Sequence, residues 1–394
     1  MAYHGLFPRR SAYLKTSRPP ISVLLLTVIG FCTLYAPQPL LPVLAKAFAV
    51  EPQDAALLIT VTMLPLACAP LVYGYVLEAV PARFMLVTAA LVLALCQIGM
   101  ALAGDWWEMI LLRSMIGLAL PALFTALMTY VAASASPERL RQALAWYIAA
   151  TIVGGFSGRA LSGLAGSLLD WRVALGMWAP GLLLMAVWTG RLRGDEKSRF
   201  GRITPRVFRA VMAQPGLPQA YLAILCIFFV FAAVLNVLPF RMADLDPGTS
   251  ATGIGFAYLG YLSGLMVSLN AQRLRLSFGS EVRTYLLGLV LYGLGLWLFA
   301  LSSTGGIYLA MFAFCGGMFL IHTRLSGQVN QLGGPYKGVV NGIYIAAYYF
   351  GGTIGSWLPA EVYHRAGWDL FLVSVGFVLL LAAAGLWAMF RRVR

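Results

Sequence analysis

Charge is what this 394-residue chain has least of. Asp, Glu, Lys and Arg make up 11% of it against 60% hydrophobic residues, a balance outside the range of soluble globular domains. Acids are scarcer than bases, 14 against 28, and no acid falls deep inside an apolar run. The three histidines (His4, His322, His364) are far apart, and the five cysteines (Cys32, Cys68, Cys96, Cys226, Cys315) lie singly in apolar stretches. Those spacings give no disulfide framework and no metal site, so neither a metal nor a cofactor is expected. A membrane-embedded enzyme would need clustered acids, histidines or metal-ligand spacing at membrane depth. Without them the chain is read as a non-enzyme. No cleavable leader is expected either: the basic segment with Arg9, Arg10, Lys15 and Arg18 precedes an apolar run that ends in no small-residue cleavage site, and is read as a retained cytoplasmic tail.

What is abundant is apolar sequence in lengths of about twenty residues, the length of one bilayer crossing. Twelve such runs lie near residues 20–44, 55–78, 84–104, 107–134, 140–166, 171–190, 218–241, 250–271, 282–302, 304–327, 337–361 and 367–390. Only residues 191–217 form a long polar connection. Sorting the 28 Lys and Arg by loop, with both termini inside, sends 21 to the cytoplasmic side and four (Lys46, Arg172, Arg241, Arg365) to the other. An odd number of spans would spoil that asymmetry, which is the one the positive-inside rule requires. The net charge of +14 therefore follows membrane topology. The expected partner is the lipid bilayer, not nucleic acid.

Arg113, Arg159 and Arg324 are the three bases left within runs. Arg159 sits in the stretch from Trp146 to Trp171, on a helix whose small residues gather on adjoining sides: Gly154 with Gly158, and Gly155 with Arg159, Gly163 and Gly166. Small faces let a second helix approach closely, and an arginine on such a face points to protein or a wet cavity, because hydrocarbon is costly for it. The same stretch recurs 197 positions on. Nine of the 25 positions in 147–171 are identical in 344–368, among them Gly154, Gly155 and Gly158, which return as Gly351, Gly352 and Gly355. The partner of Arg159 is Ser356. A repeat at half the chain length predicts two pseudo-symmetric halves that rock around a central site. The expected division is a tail (1–19), a six-helix bundle (20–190), a basic linker (191–217), a second six-helix bundle (218–390) and a basic C-terminal tail (391–394).

Several other residues could carry function. In Tyr35-Ala-Pro37-Gln38-Pro39-Leu-Leu-Pro42 the prolines remove backbone donors and disturb the first span, leaving Gln38 near the path or simply kinking the helix against its neighbour. Arg113 is read either as a proton-pathway group or as a clamp on carbonyls of adjacent helices. His322, the one histidine inside a run, titrates near neutral pH and suits a proton carrier, or packs as a hydrogen-bonded side chain. Arg324 is near enough to a span end to snorkel. Tyr344, Tyr348 and Asn236 suit contact with an amphipathic ligand, although aromatic stripes also simply pack.

The turn Gly74-Tyr-Val-Leu-Glu78-Ala-Val-Pro81-Ala-Arg83 resembles, in weakened form, the signature loop of the major facilitator superfamily. Leu112-Arg113-Ser-Met-Ile-Gly117 resembles the helix 4 arginine motif of its proton-linked exporters, and Gly154 to Gly163 the glycine-rich helix 5 motif of its antiporters. The first-span run, Gly158-Arg159 and Ala347-Tyr348-Tyr349-Phe350-Gly351 look most like the twelve-helix efflux branch, which includes drug and arabinose exporters. In the family the acid of the loop is followed directly by a base and, two positions further on, by a glycine; here Ala79 and Pro81 stand in those places.

The resemblance implies an all-α membrane protein of twelve transmembrane helices with both termini cytoplasmic, monomeric, in the inner membrane of a bacterium. It also implies a proton-coupled exporter working by alternating access, with Gly74, Glu78, Arg83 and the six paired glycines as gating positions. Arg113, Arg159, His322, Gln38, Asn236, Tyr344 and Tyr348 are the expected substrate and proton pathway. Buried bases without a deep acid favour a neutral or anionic amphipathic substrate over a permanent cation. The alternative is a proton-coupled uptake permease for an anion such as a carboxylate or siderophore.

Overall fold

A computed structural model describes residues 19–134, 140–192, 204–301 and 303–393. The tail before residue 19, Arg139 and most of the linker's charged residues lie outside the described residues, as do the side chains of Gly74, Glu78 and Arg141. The first half of the chain builds α1 (Ile21–Tyr35), one 3-10 turn (Gln38–Leu40) and α2 (Leu41–Phe48). Then come α3 (Pro52–Ala79), α4 (Ala82–Leu102), α5 (Trp106–Ser134), α6 (Leu140–Leu168), α7 (Trp171–Gly176) and α8 (Trp178–Gly190). In the linker, where sequence suggested only a polar connection, stands α9 (Pro205–Met212). The second half holds α10 (Leu217–Leu245), α11 (Ala251–Ala257), α12 (Tyr261–Phe278), α13 (Glu281–Leu298), α14 (Thr304–Leu332) and α15 (Lys337–Val393).

Local chemistry sets the helix ends. Asp170, Ser250, Ser280 and Ser303 each accept a hydrogen bond from a backbone N–H in the first turn of the helix they precede, which satisfies a donor the helix cannot pair itself. Asp105 accepts from the N–H groups of Trp107 and Glu108, while the Glu108 carboxylate reaches back to Gly104 N–H (2.7 Å). This reciprocal cap occupies two of the acids nearest a span.

Among the described residues, ten helical stretches are long and apolar enough to cross a bilayer, and Pro52–Cys68 is a shorter apolar piece of α3. One of the ten, Gly338–Val393, has 56 residues, about 84 Å at 1.5 Å per residue, far more than one hydrocarbon layer of about 30 Å. It bends at Gly367, where φ is 80° and ψ −178°, between the apolar runs read at 337–361 and 367–390. Only glycine adopts that backbone without strain. Gly367→Ala is therefore expected to destabilise the fold by about 1 to 3 kcal/mol, read as a lower thermal unfolding midpoint in detergent; an unchanged midpoint would show that the bend tolerates a side chain.

The repeat is visible as packing. A methyl group at Gly158 would stand 2.7 Å from the Cys32 carbonyl oxygen, and one at Gly154 3.0 Å from the Val28 Cα, so α6 lies directly on the backbone of α1. Gly351 and Gly355 press α15 in the same way onto Leu225 and Phe229 of α10. Both partners of each pair move by the same 197 positions, from Val28 to Leu225 and from Cys32 to Phe229. One close-packed helix contact has been built twice.

Links between the halves gather toward one end of the molecule. Ser167 Oγ accepts from Thr252 N–H (2.9 Å), the Gly255 position abuts the carbonyl of Arg159, Thr60 and Ser356 hydroxyls lie 2.8 Å apart, and Glu51 faces His364 at 3.5 Å. This end carries the turns at Asp105, Asp170, Asp246 and Gly367. It is sealed by small side chains and hydrogen bonds.

Candidate functional site

Inside the sealed end, Arg159 is completely buried. Gly155, one turn earlier on α6, leaves room for it: a Cβ there would lie 3.5 Å from the Arg159 Nη1. The guanidinium donates through Nη1 to the Gly155 carbonyl (2.5 Å) and through Nε to Gln38 Oε1 (2.5 Å). Among the described residues Nη2 has no hydrogen-bond partner and no carboxylate offsets the charge; instead the guanidinium carbon lies 3.8 Å from the ring centre of Tyr35, 4.7 Å from Tyr261 and 4.8 Å from Tyr258. Aromatic faces hold a desolvated cation at about 2 kcal/mol or more each in favourable cases, less than a counter-ion would. The group is tolerated rather than fully paired.

From Arg159 a chain of polar contacts crosses the molecule. Gln38 Nε2 donates to Asn236 Oδ1, Asn236 Nδ2 donates to the Ser356 carbonyl (3.2 Å), and Ser356 Oγ meets Thr60 Oγ1. It runs through α6, the 3-10 turn of the broken first span, α10, α15 and α3. The expected members Arg159, Gln38 and Asn236 are thus brought together, with Ser356, the repeat partner of Arg159, among them.

Arg113 is not part of this group. Also fully buried, it donates through Nε to Leu58 O (3.0 Å), through Nη1 to Thr33 O (2.9 Å) and through Nη2 to Leu34 O (2.9 Å). Thr33 O is the carbonyl that a regular helix would pair with the N–H of residue 37, which is proline, and Leu34 O is the next one along. The guanidinium fork takes the place of the missing donors. Of the two readings the sequence left open, this is the geometry of the clamp. Arg113 and Arg159 grip the same break, at residues 33–34 and 35–38, from different helices.

A second cluster stands on α14 and α15. The Tyr344 hydroxyl lies 2.9 Å from His322 Nδ1, and the Tyr348 ring packs against His322 (centroids 4.9 Å apart) and Phe228 (3.6 Å). His322 and Tyr348 are half-buried, which leaves a titratable ring in contact with a chain of phenols. Sequence grouped the two tyrosines with Asn236 and read His322 apart from them; both readings of His322 fit this geometry.

Arg324, expected to snorkel, is instead paired. Both Nε (3.2 Å) and Nη2 donate to the Glu281 carboxylate, and Nη1 donates to Gln272 Oε1 (2.9 Å); Arg275 Nε lies 3.2 Å from the same carboxylate. A cavity of about 150 Å³ opens beside them, lined also by Gln328 and Gln331. Sequence reasoning missed Glu281, because the 43 positions between it and Arg324 carry no spacing signal. Arg83 donates to the Leu192 carbonyl (3.3 Å), tying the start of α4 to the end of α8. Among the described residues there is no group of three or more His, Cys, Asp or Glu that could hold a metal ion.

A sequence profile described as Major Facilitator Superfamily matches residues 23–323. The chain is 26% identical over 358 residues to the inner membrane transport protein YnfM of Escherichia coli strain K12, covering 89% of this chain and 85% of that protein. It is 24% identical to an uncharacterized transporter of Buchnera aphidicola subsp. Baizongia pistaciae, over 82% of this chain and 81% of the other. Among solved structures, a bacterial homolog of the human lysosomal transporter Spinster, in an inward-facing and unoccupied conformation, superposes with a TM-score of 0.71 at 13% identity, over 95% of this chain and 93% of that one.

Proposed function

Because the chain belongs to the Major Facilitator Superfamily and is a multi-pass membrane transporter of that type, we propose that it is a proton-coupled exporter of a small neutral or anionic amphipathic compound. It works by alternating access in the inner membrane of a bacterium, as a monomer. In this reading the bundles 20–190 and 218–390 supply twelve crossings with both termini cytoplasmic. The ten long apolar stretches, the bend at Gly367 and the shorter helix in α3 are compatible with that number, and the loop charges set the orientation. The sealed end is then the outer one, and the described state faces inward.

The observation that carries the proposal is the buried chain from Arg159 to Thr60. It crosses between the halves, it must break when the outer end opens, and it holds a guanidinium with one unpaired N–H edge and no acid. An anion or a hydrogen-bond acceptor is what that edge lacks; a permanent cation would meet an uncompensated like charge. The glycine contacts of α6 with α1 and of α15 with α10 keep each half rigid as it turns, while Gly163 against Ala251 and Gly352 against Met63 are close approaches between the halves. His322, with Tyr344 and Tyr348 beside it, is the proton carrier of this scheme.

Flux in inverted membrane vesicles, with and without an imposed proton gradient, is the test. Export predicts gradient-driven uptake into such vesicles; efflux from them would assign the protein to anion import instead. His322→Gln should flatten the pH dependence of that flux while leaving counterflow at fixed pH intact, and an unaltered pH profile removes His322 from the proton path. Export of a quaternary cation such as ethidium at rates matching an organic anion would contradict the substrate class.

A further inference from the structure

At the end of the molecule opposite the seal, α9 leads into α10 and packs against α10 and α15 of the second half. Thr204 caps its start by accepting from Val207 N–H (3.3 Å); Val211 is buried, and Val207 and Met212 pack on the core. That commits one side of the helix to protein. On the other side Arg206, Arg209 and Ala213 follow at three- and four-residue spacing, a shared face. With Pro205 and Ala210 they line an open cavity of about 390 Å³.

Arg206 and Arg209 are exposed, and the ring of Phe208 on the flank is 44% exposed. The helix leads through Gly216, next to Val393 and Met389, so the end of α15 with the exposed Arg391 and Arg392 lies alongside. None of the ion pairs among the described residues involves any of these four arginines.

The depth of the patch follows from its neighbours. Leu222, five residues into α10, and Trp387, one turn before Arg391, are both exposed apolar side chains. Apolar exposed surface therefore begins about 6 Å along α15 from Arg391, the level at which indoles and basic residues meet headgroups. We propose that the outer face of α9, with the basic end of α15, binds an anionic phospholipid headgroup. Arg206 and Arg209 present planar forks that match phosphate oxygens, and Phe208 lies against the acyl boundary, as an interfacial helix places its aromatic ring. A soluble acidic peptide would answer the charges but would leave Phe208 and Trp387 uncovered. The site is separate from the Arg159 chain and does not depend on the direction of transport.

Native mass spectrometry of the full-length protein, offered equal amounts of phosphatidylglycerol and phosphatidylcholine, tests the assignment. The wild type should retain the anionic lipid about tenfold over the zwitterionic one. Arg206→Gln/Arg209→Gln should lose most of that preference, and Arg391→Gln/Arg392→Gln part of it, with unfolding midpoints unchanged because all four side chains are at the surface. Equal retention of the two lipids by the wild type, or an undiminished preference in the α9 variant, would overturn the proposal. So would salt-sensitive capture of polyglutamate without any lipid preference, which would assign the patch to an acidic protein.

Discussion

Arg159→Ala is expected to lower transport by about ten- to a hundredfold while the protein still inserts and folds. The range follows from a charge-assisted hydrogen bond to substrate, worth about 1.5 to 3 kcal/mol. Loss of the side chain frees only two acceptors, Gln38 Oε1 and the Gly155 carbonyl, which lies within α6, and removes a buried charge that no carboxylate among the described residues offsets, so the fold has little to lose. The same residue also ties the halves together, and that second role must be separated from the first. Gln38→Ala and Asn236→Ala cut the chain between the halves but leave the guanidinium in place. If Arg159 only locks the sealed end, all three variants should share one phenotype, faster thiol labelling of Thr252→Cys from the outside. If it anchors substrate, Arg159→Ala alone should also lose ligand-induced protection of that cysteine. Arg159→Lys keeps the charge and loses the fork, and is expected to fall between the two. Undiminished flux in Arg159→Ala would remove the site.

Why Arg159 could be picked out and the tyrosines around it could not is a matter of distance along the chain. Periodicity places Gly154, Gly155, Gly158 and Arg159 on adjoining faces of one helix, and the repeat carries the same stripe to Gly351, Gly352 and Gly355. These are relations within a few turns, or at a fixed offset, and both survive folding unchanged. The tyrosines that surround the guanidinium come from positions 35, 258 and 261. Nothing local distinguishes them from tyrosines that merely pack. Gln38 and Asn236 were each legible as polar groups near a path, but their contact spans 198 positions and depends on how the halves meet. Glu281 looked like one more cytoplasmic acid until α13 and α14 folded together and set it against Arg324. Helix α9 was missed for another reason. Its eight residues are too few to register as a membrane-length run, although Thr204-Pro205 is a helix start and the spacing of Val207 and Val211 against Arg206 and Arg209 is an amphipathic face that the sequence carries.

Arg113→Ala should do the opposite of Arg159→Ala, costing stability first and activity as a consequence. Two carbonyl oxygens, on Thr33 and Leu34, lose their donor, and water has no ready access to them inside the bilayer; the Leu58 carbonyl keeps the Thr62 hydroxyl (2.9 Å). An unpaired buried acceptor costs about 1 to 3 kcal/mol, so a loss of about 2 kcal/mol or more is expected, read as a lower thermal unfolding midpoint and poorer recovery from the membrane. The proline break supplies the control. Pro37→Ala returns an N–H to the position that a helix would use for the Thr33 carbonyl, relieving part of the demand that Arg113 meets. Arg113→Ala should therefore be milder in the Pro37→Ala background, by roughly 1 kcal/mol for the one bond restored. Equal penalties in the two backgrounds would mean that the arginine is not serving the break. A fully stable Arg113→Ala protein that had lost proton-driven flux would place this residue in the proton path instead, and the broken first span would then need some other support.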